Sequence, residues 1–146
     1  MKRRNILFYL APPVAAGCLL MLASGVNTTY FLRFPHFAPH VALFGWGWVC
    51  MFLLQGMAAF KASRYYCSPS AGYYYYGQFI CAAVWMLLLF RLGTQGAFVP
   101  LLFAIVLTVS AIKEFRHTSI AAGNLLLPYV GWLTYLAILH FSNMMP

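Results

Sequence analysis

The sequence predicts an all-α integral membrane protein: a bundle of five transmembrane helices forming a single domain over residues 1–146. Of the 146 residues, 64 % are hydrophobic and 7 % are charged, whereas about 25 % of a soluble domain is charged. So few charges cannot cover an aqueous surface, but hydrocarbon requires none. Since one span needs about 20 apolar residues, five spans with short loops account for the whole chain.

The apolar segments suited to membrane helices lie at about residues 6–26, 41–60, 71–92, 96–112 and 120–141. Pro12, Pro13, Pro100 and Pro128 fall inside these segments. Membrane helices tolerate proline because neighbouring groups satisfy the freed carbonyls, so we expect kinks there.

The first segment has an alternative interpretation as a cleaved signal. Basic residues 2–4 precede an apolar run that contains Cys18, as in a lipoprotein signal. However, Ala15 stands three residues before Cys18, where a larger aliphatic residue is usual, and the apolar run continues to Leu22. A retained first helix is therefore the favoured interpretation.

Lysine and arginine are distributed unequally between the two ends of the predicted helices. The N-terminus and the loops after the second and fourth segments carry seven of them, and the other side has only Arg33 and Arg91. The positive-inside rule then predicts a cytoplasmic N-terminus and an outside C-terminus. A bacterial inner membrane fits this pattern, with a mitochondrial membrane as the alternative. The net charge of +8 is expected to attract anionic membrane lipid, not nucleic acid.

Residues for enzyme chemistry are scarce. Glu114 is the only acid in the chain, which excludes a carboxylate pair, a Ser-His-Asp triad and a carboxylate metal site. The four cysteines form no C-x-x-C pair, and three lie within spans, where cysteine behaves as a small apolar residue. We therefore expect no metal site and no obligatory cofactor.

Three predicted helices carry a stripe that combines a large aromatic side chain with a polar group. The stripes are Trp48, Phe52 and Gln55; Gln78, Ala82 and Trp85; and Trp132, Leu136 and His140. Residues at this spacing share one helix face. If the three faces meet, they line an aromatic pocket suited to a flat hydrophobic ligand. The alternative for each tryptophan is an aromatic belt at the lipid interface, where we also expect tyrosines 73–76.

Histidine and arginine are concentrated on the predicted outer side. His36, His40 and His140 lie there with Arg33 and Arg91. Such a group suits a ligand with carboxylates, or haem with its iron and propionates. The alternative is that these polar residues only end the helices.

Four segments match the motifs of one known membrane-protein family. The family's fifth-helix motif L-L-x-P-Y-x-x-W-x-x-[YF] corresponds to residues 125–135, LLLPYVGWLTY, and its A-P…G segment corresponds to Ala11, Pro12 and Gly17. Its loop motif K-P-x-W-x-P-P, followed by G-x-x-W, corresponds to residues 34–40, FPHFAPH, followed by Gly45 and Trp48. Its third-helix motif G-Q…N-W-x-W…F corresponds to Gly77, Gln78, Trp85 and Phe90. On these motifs the chain resembles the TspO/MBR family, the tryptophan-rich sensory proteins and translocator proteins, over nearly its whole length.

Several motif positions depart from the family pattern. The loop tryptophan is Phe37, the second proline of the loop is His40, and N-W-x-W reads AAVW at residues 82–85. The fourth-helix aspartate of the family aligns with Pro100, and the asparagine near the end of its fifth helix aligns with His140.

The resemblance implies a ligand pocket between the helices, capped by the first loop, for a tetrapyrrole such as haem or protoporphyrin IX, or for a sterol-like small molecule. The expected ligand-binding residues are Phe37, Pro39, His40, Trp48, Phe52, Gln78, Trp85, Trp132, Leu136 and His140, with His40 or His140 as the contact to haem. The family often forms dimers, and Gly77 with Cys81 offers a small-x-x-x-small contact for a homodimer.

Three functions compete at this point. The favoured one is a membrane-embedded tetrapyrrole-binding protein with a sensory, chaperone or transport role. The second is a structural or assembly subunit of a larger membrane complex, which the altered third helix makes credible. The third is a porphyrin-degrading enzyme, an activity proposed for the family but disfavoured here by the missing aspartate and tryptophans.

Overall fold

Helices make up the regular structure of the described part of the chain. The computed structural model describes residues 13–16, 41–65 and 69–144. Residues 13–16 are helical and belong to the first predicted span. The predicted site residues Phe37, Pro39 and His40 lie outside the described residues. The all-α fold class predicted from the sequence is confirmed.

The first long helix, α1, runs over Val41–Ser63. The next helical stretch covers Pro69–Thr118, but it consists of two helices, because Gly93 has φ 72° and ψ −163°. This backbone region is open essentially only to glycine. We call the helix before Gly93 α2 (69–92) and the helix after it α3 (94–118).

Helices α2 and α3 form an antiparallel hairpin about Gly93. Thr108 of α3 hydrogen-bonds Gln78 of α2, and further along, Phe115 stacks on Tyr75 at 6.0 Å between ring centroids. Each pair is roughly equidistant from Gly93 along the chain, as an antiparallel pair of helices requires. Helix α3 continues to Thr118, six residues past the predicted apolar segment, because backbone hydrogen bonding does not stop where the side chains become basic.

The last predicted span is divided in two. Helix α4 covers Ile120–Asn124 and α5 covers Leu127–Met144. Pro128 lacks an N–H and its ring crowds the carbonyl one turn earlier. The chain therefore makes a turn at residues 125 and 126, where the Leu126 N–H bonds the Gly123 carbonyl at 3.1 Å. A kink was expected at both Pro100 and Pro128. The helix is interrupted just before Pro128, whereas Pro100 lies within α3, where the non-helical backbone is at Gly93.

The outer surface of the bundle is apolar. Phe103 and Val106 on α3 are 60 % and 61 % exposed, and Ile80 and Leu87 on α2 are 66 % and 61 % exposed. Such faces suit hydrocarbon, which makes no demand for surface charge. Within the described residues, two stretches are long and apolar enough to cross a membrane, Gln95–Thr118 and Ile120–Met144.

The interior contains two hydrophobic clusters. One is built around Trp48, Trp85 and Leu133, and the other around Tyr75, Phe115 and Leu126. The first cluster contains the tryptophans that the sequence places on three stripes, so it is the part of the core that positions the candidate site.

Candidate functional site

Aromatic rings from α1, α2 and α5 meet in one group, which we call the aromatic cluster. Its members are Phe44, Trp48, Phe52, Trp85, Tyr129 and Trp132. Trp48 lies at the centre, 1 % exposed, with its ring centroid 5.5 Å from that of Trp85 and 6.2 Å from that of Trp132. Favourable aromatic pairs have centroids about 4.5–7 Å apart. The three predicted stripes thus converge at their tryptophans.

The predicted site residues on the described helices are almost all buried. Those with at most 2 % of their surface exposed are Trp48, Phe52, Gln78, Trp85, Leu136 and His140. Trp132 is the one that is half-buried. By contrast, Trp46 is 58 % exposed on α1, as an interfacial belt residue would be.

Trp132 lies directly against the backbone of α1. A Cβ atom at Gly47 would come within 2.6 Å of Trp132 Cη2, so only glycine at position 47 admits the indole there. Phe44 packs on the same indole, with 5.6 Å between ring centroids. Sequence reasoning missed Phe44, although it stands one helical turn before Trp48 and extends that stripe.

Two indole N–H groups in the aromatic cluster are buried without an acceptor. For Nε1 of Trp48 and Nε1 of Trp132, no described residue offers a hydrogen-bond partner. An unpaired buried donor costs about 1–3 kcal/mol. The cluster thus holds two donors that an acceptor group of a ligand would satisfy. The sequence carries no signal for this, because it depends on where neighbouring helices place their carbonyls.

Both ring nitrogens of His140 are engaged. Its Nε2 accepts a hydrogen bond from Trp85 Nε1 at 3.2 Å, and its Nδ1 lies 2.9 Å from the Leu136 carbonyl. Because Nε2 is an acceptor, the proton is on Nδ1, which donates to that carbonyl. In this arrangement His140 offers haem iron no nitrogen lone pair. The expected iron contact therefore does not fit His140, whose role here is to hold Trp85.

A chain of buried polar side chains joins the first three long helices. Gln78 Nε2 donates to Gln55 Oε1 at 3.1 Å, and Thr108 Oγ1 donates to Gln78 Oε1 at 2.8 Å. All three residues are 0 % exposed. The Tyr129 hydroxyl adjoins Gln55 from α5 without reaching hydrogen-bond geometry. Gln78, predicted as a ligand contact, thus has both ends of its amide engaged with protein.

The predicted dimer contact is occupied within the protomer at Gly77. A Cβ atom there would lie 3.3 Å from Leu107 Cδ1, so this glycine lets α2 and α3 approach closely. Cys81 is half-buried and packs against the first hydrophobic cluster. Homodimerisation through these two residues stays a prediction.

One comparison with known proteins identifies a family. The family model described as the TspO/MBR family matches residues 8–145, which is nearly the whole chain and includes every residue that the structure describes. No curated protein matches the chain significantly.

Proposed function

This chain belongs to the TspO/MBR family of integral membrane proteins, and from that premise we propose that it binds a flat hydrophobic ligand inside the helix bundle. The proposed ligand class is a porphyrin or haem-type tetrapyrrole, held for a sensory, chaperone or transport role. The observation that carries the proposal is the aromatic cluster with two indole donors that have no acceptor among the described residues. Rings bind the flat macrocycle by stacking, and N–H groups suit its carboxylates.

The ring packing limits where such a ligand lies. Trp48 and Phe52 are stacked on each other at 5.2 Å between centroids, so no planar molecule fits between them. Trp132 is the half-buried member of the cluster, and its N–H finds no acceptor in the part of the chain that the structure describes. We therefore place the ligand on the Trp132 side of the cluster, next to Phe44, and assign no iron ligand among the described residues.

The test is a titration of the purified, detergent-solubilised protein with protoporphyrin IX and with haem. Tryptophan quenching and the Soret band report binding. Trp132→Phe removes the indole donor and is expected to weaken binding about tenfold, the value of one hydrogen bond to a charged acceptor. Trp46→Phe is the matched control, since Trp46 lies on the same helix as Trp48 but is 58 % exposed and does not belong to the aromatic cluster. Quenching that never saturates, or equal loss in both variants, would overturn the proposal.

A second function has one observation in its favour. Because the rings of Trp48, Phe52 and Trp85 already pack on one another, the cluster also serves as a finished core, as in a structural or assembly subunit of a larger membrane complex. Stoichiometric co-purification with other membrane subunits, together with no saturable porphyrin binding, would favour this function. A porphyrin-degrading activity would instead appear as light-dependent loss of bound porphyrin.

We further infer the orientation of the protein in the membrane from the basic residues at one end of the bundle. Lys61 lies in the last turn of α1 and Arg64 just after it, and Lys113 and Arg116 lie in the last turns of α3, whereas Arg91 lies beside the Gly93 break at the opposite end. The positive-inside rule places the first group in the cytoplasm. Alkaline phosphatase fused after residue 146 should be active outside the inner membrane of a bacterial host, and an inactive fusion would contradict this orientation.

A further inference from the structure

A cavity lies where the last turns of α1 approach α4, and no member of the aromatic cluster lines it. Its volume is about 630 Å³, within the range of about 300–1,000 Å³ that small-molecule pockets occupy. We call it the basic pocket. The residues that line it are Met57, Phe60, Lys61, Arg64, Ala121, Asn124 and Leu125.

The basic pocket is positively charged. Lys61 lies in the last turn of α1, and Arg64 directly follows the end of that helix at Ser63. Both side chains line the pocket, and both are exposed. A third cation adjoins them, because Arg116 donates a hydrogen bond to Asn124 Oδ1 at 2.9 Å. The pocket is lined by no acid, and the chain's single acid is Glu114. An anion in this pocket therefore meets attraction without a competing carboxylate.

The walls of the pocket change from apolar to charged along α1. Met57 and Phe60 precede Lys61 and Arg64 in the helix, and the distance from residue 57 to residue 64 is about 10 Å at 1.5 Å per residue. Across the pocket, Leu125 adds a further apolar side chain. The Arg64 guanidinium lies over the Phe60 ring at 5.0 Å from its centroid, so the charge sits where the apolar wall ends.

This gradient coincides with the boundary of the membrane. Helix α1 ends at Ser63, and the protein is an integral membrane protein of a helical family. Residues at the ends of its helices therefore lie at the level of the lipid headgroups. The matching molecule is one with an anionic head and an apolar tail, entering from the bilayer.

We propose that the basic pocket binds one anionic glycerophospholipid, its phosphate between Lys61 and Arg64 and the start of an acyl chain along Met57 and Phe60. Pockets of basic residues between membrane helices hold anionic headgroups by the same electrostatics. The tail accounts for the apolar side chains Met57 and Phe60, which precede the two cations along the chain and line the same pocket. The bound lipid would clamp α1 to α4, and this role is independent of any ligand in the aromatic cluster.

The experiment is native mass spectrometry of the full chain released from nanodiscs that contain equal amounts of phosphatidylglycerol and phosphatidylcholine. Wild type should retain one phosphatidylglycerol per protomer. The variant Lys61→Gln/Arg64→Gln should bind it about 30-fold more weakly, because the loss of each cation is expected to weaken binding about fivefold. The matched control Arg91→Gln/Lys113→Gln loses the same charge from exposed positions outside the pocket, and it should retain the lipid.

Each other outcome overturns the proposal. Equal retention of the two lipids would remove the headgroup preference, and equal loss in the pocket and control variants would indicate general charge attraction. Displacement of the lipid by excess inorganic phosphate, or equal binding of glycerophosphoglycerol without acyl chains, would indicate a free-anion site instead. Thermal unfolding of each variant in detergent establishes that a lost lipid is not a lost fold.

Discussion

The indole N–H of Trp85 donates to Nε2 of His140 across 3.2 Å, joining α2 to α5 inside the core. Replacing His140 with leucine leaves that indole donor buried without a partner, which we expect to cost about 1–3 kcal/mol of unfolding free energy. Unfolding in a graded detergent mixture measures this loss of unfolding free energy. In Trp85→Phe/His140→Leu neither group is orphaned, so the double variant should be less destabilised than the sum of the two singles. Additive effects would mean that the bond contributes nothing.

The same bond predicts the spectrum of bound haem. Because the His140 lone pair is used by Trp85 and its N–H by Leu136, the Soret maximum of a haem complex should be the same in wild type and in His140→Leu. Absorption spectroscopy of the two titrated proteins checks this. A Soret shift that is present in wild type and lost in His140→Leu would show that Nε2 leaves Trp85 to bind iron.

Gly93 is the position where backbone strain is most directly testable. Its φ of 72° with ψ of −163° is strained for any residue with a Cβ, so Gly93→Ala should destabilise the protein by about 1–3 kcal/mol. Gly72→Ala is the matched control. A Cβ at Gly72 also meets nothing within 4 Å, but there the backbone is helical, and alanine should be neutral or stabilising. Equal melting temperatures for the two variants would refute the expectation.

Gly47 tests the position of Trp132. A methyl group at residue 47 would collide with the indole, so Gly47→Ala should displace Trp132, shift the tryptophan emission maximum and weaken porphyrin binding. Gly131→Ala is a suitable control, because apart from its chain neighbours a Cβ there meets nothing within 4 Å. If both variants bind porphyrin like wild type, Trp132 does not contact the ligand.

Gln78 connects two helices to α2, and Gln78→Leu removes both bonds at once. Hydrogen bonds between membrane helices contribute about 0.6–2 kcal/mol each, so we expect a loss of about 1–3 kcal/mol in graded-detergent unfolding. Ser110→Ala serves for comparison, since Ser110 bonds only the Val106 carbonyl of its own helix. A Gln78→Leu protein as stable as Ser110→Ala would show that the polar chain is dispensable.

Composition was sufficient to predict the helical class, and spacing placed each of the three tryptophans on a helix stripe with a polar group, although whether the three stripes meet was left open. Interhelical geometry was not predictable in this way. Tyr75 is an example: it was expected in an interfacial belt with its neighbours, yet it is 3 % exposed and stacks on Phe115, while Tyr73 is 77 % exposed. Four identical residues in a row point in different directions around a helix, and only two of them, Tyr73 and Tyr76, are exposed.

The hydrogen-bond partners of the buried polar atoms could not be predicted from the sequence either. Thr108 completes the chain that begins at Gln55, but nothing in its own neighbourhood marks it. Likewise, the engagement of His140 by Trp85 depends on how α5 faces α2. The basic pocket combines residues from two helices far apart in the chain, so its charges were recognised only as an orientation signal.

The hairpin at Gly93 restricts where residues can be inserted into or deleted from this chain. Gln78 and Thr108 each lie fifteen positions from that glycine, so they reach the same depth in the membrane. Inserting or deleting one residue on either arm would rotate everything beyond it by about 100° and shift it by about 1.5 Å. Gln78 and Thr108 would then no longer face each other. Length variation among relatives should consequently fall outside the segment from residue 78 to residue 108.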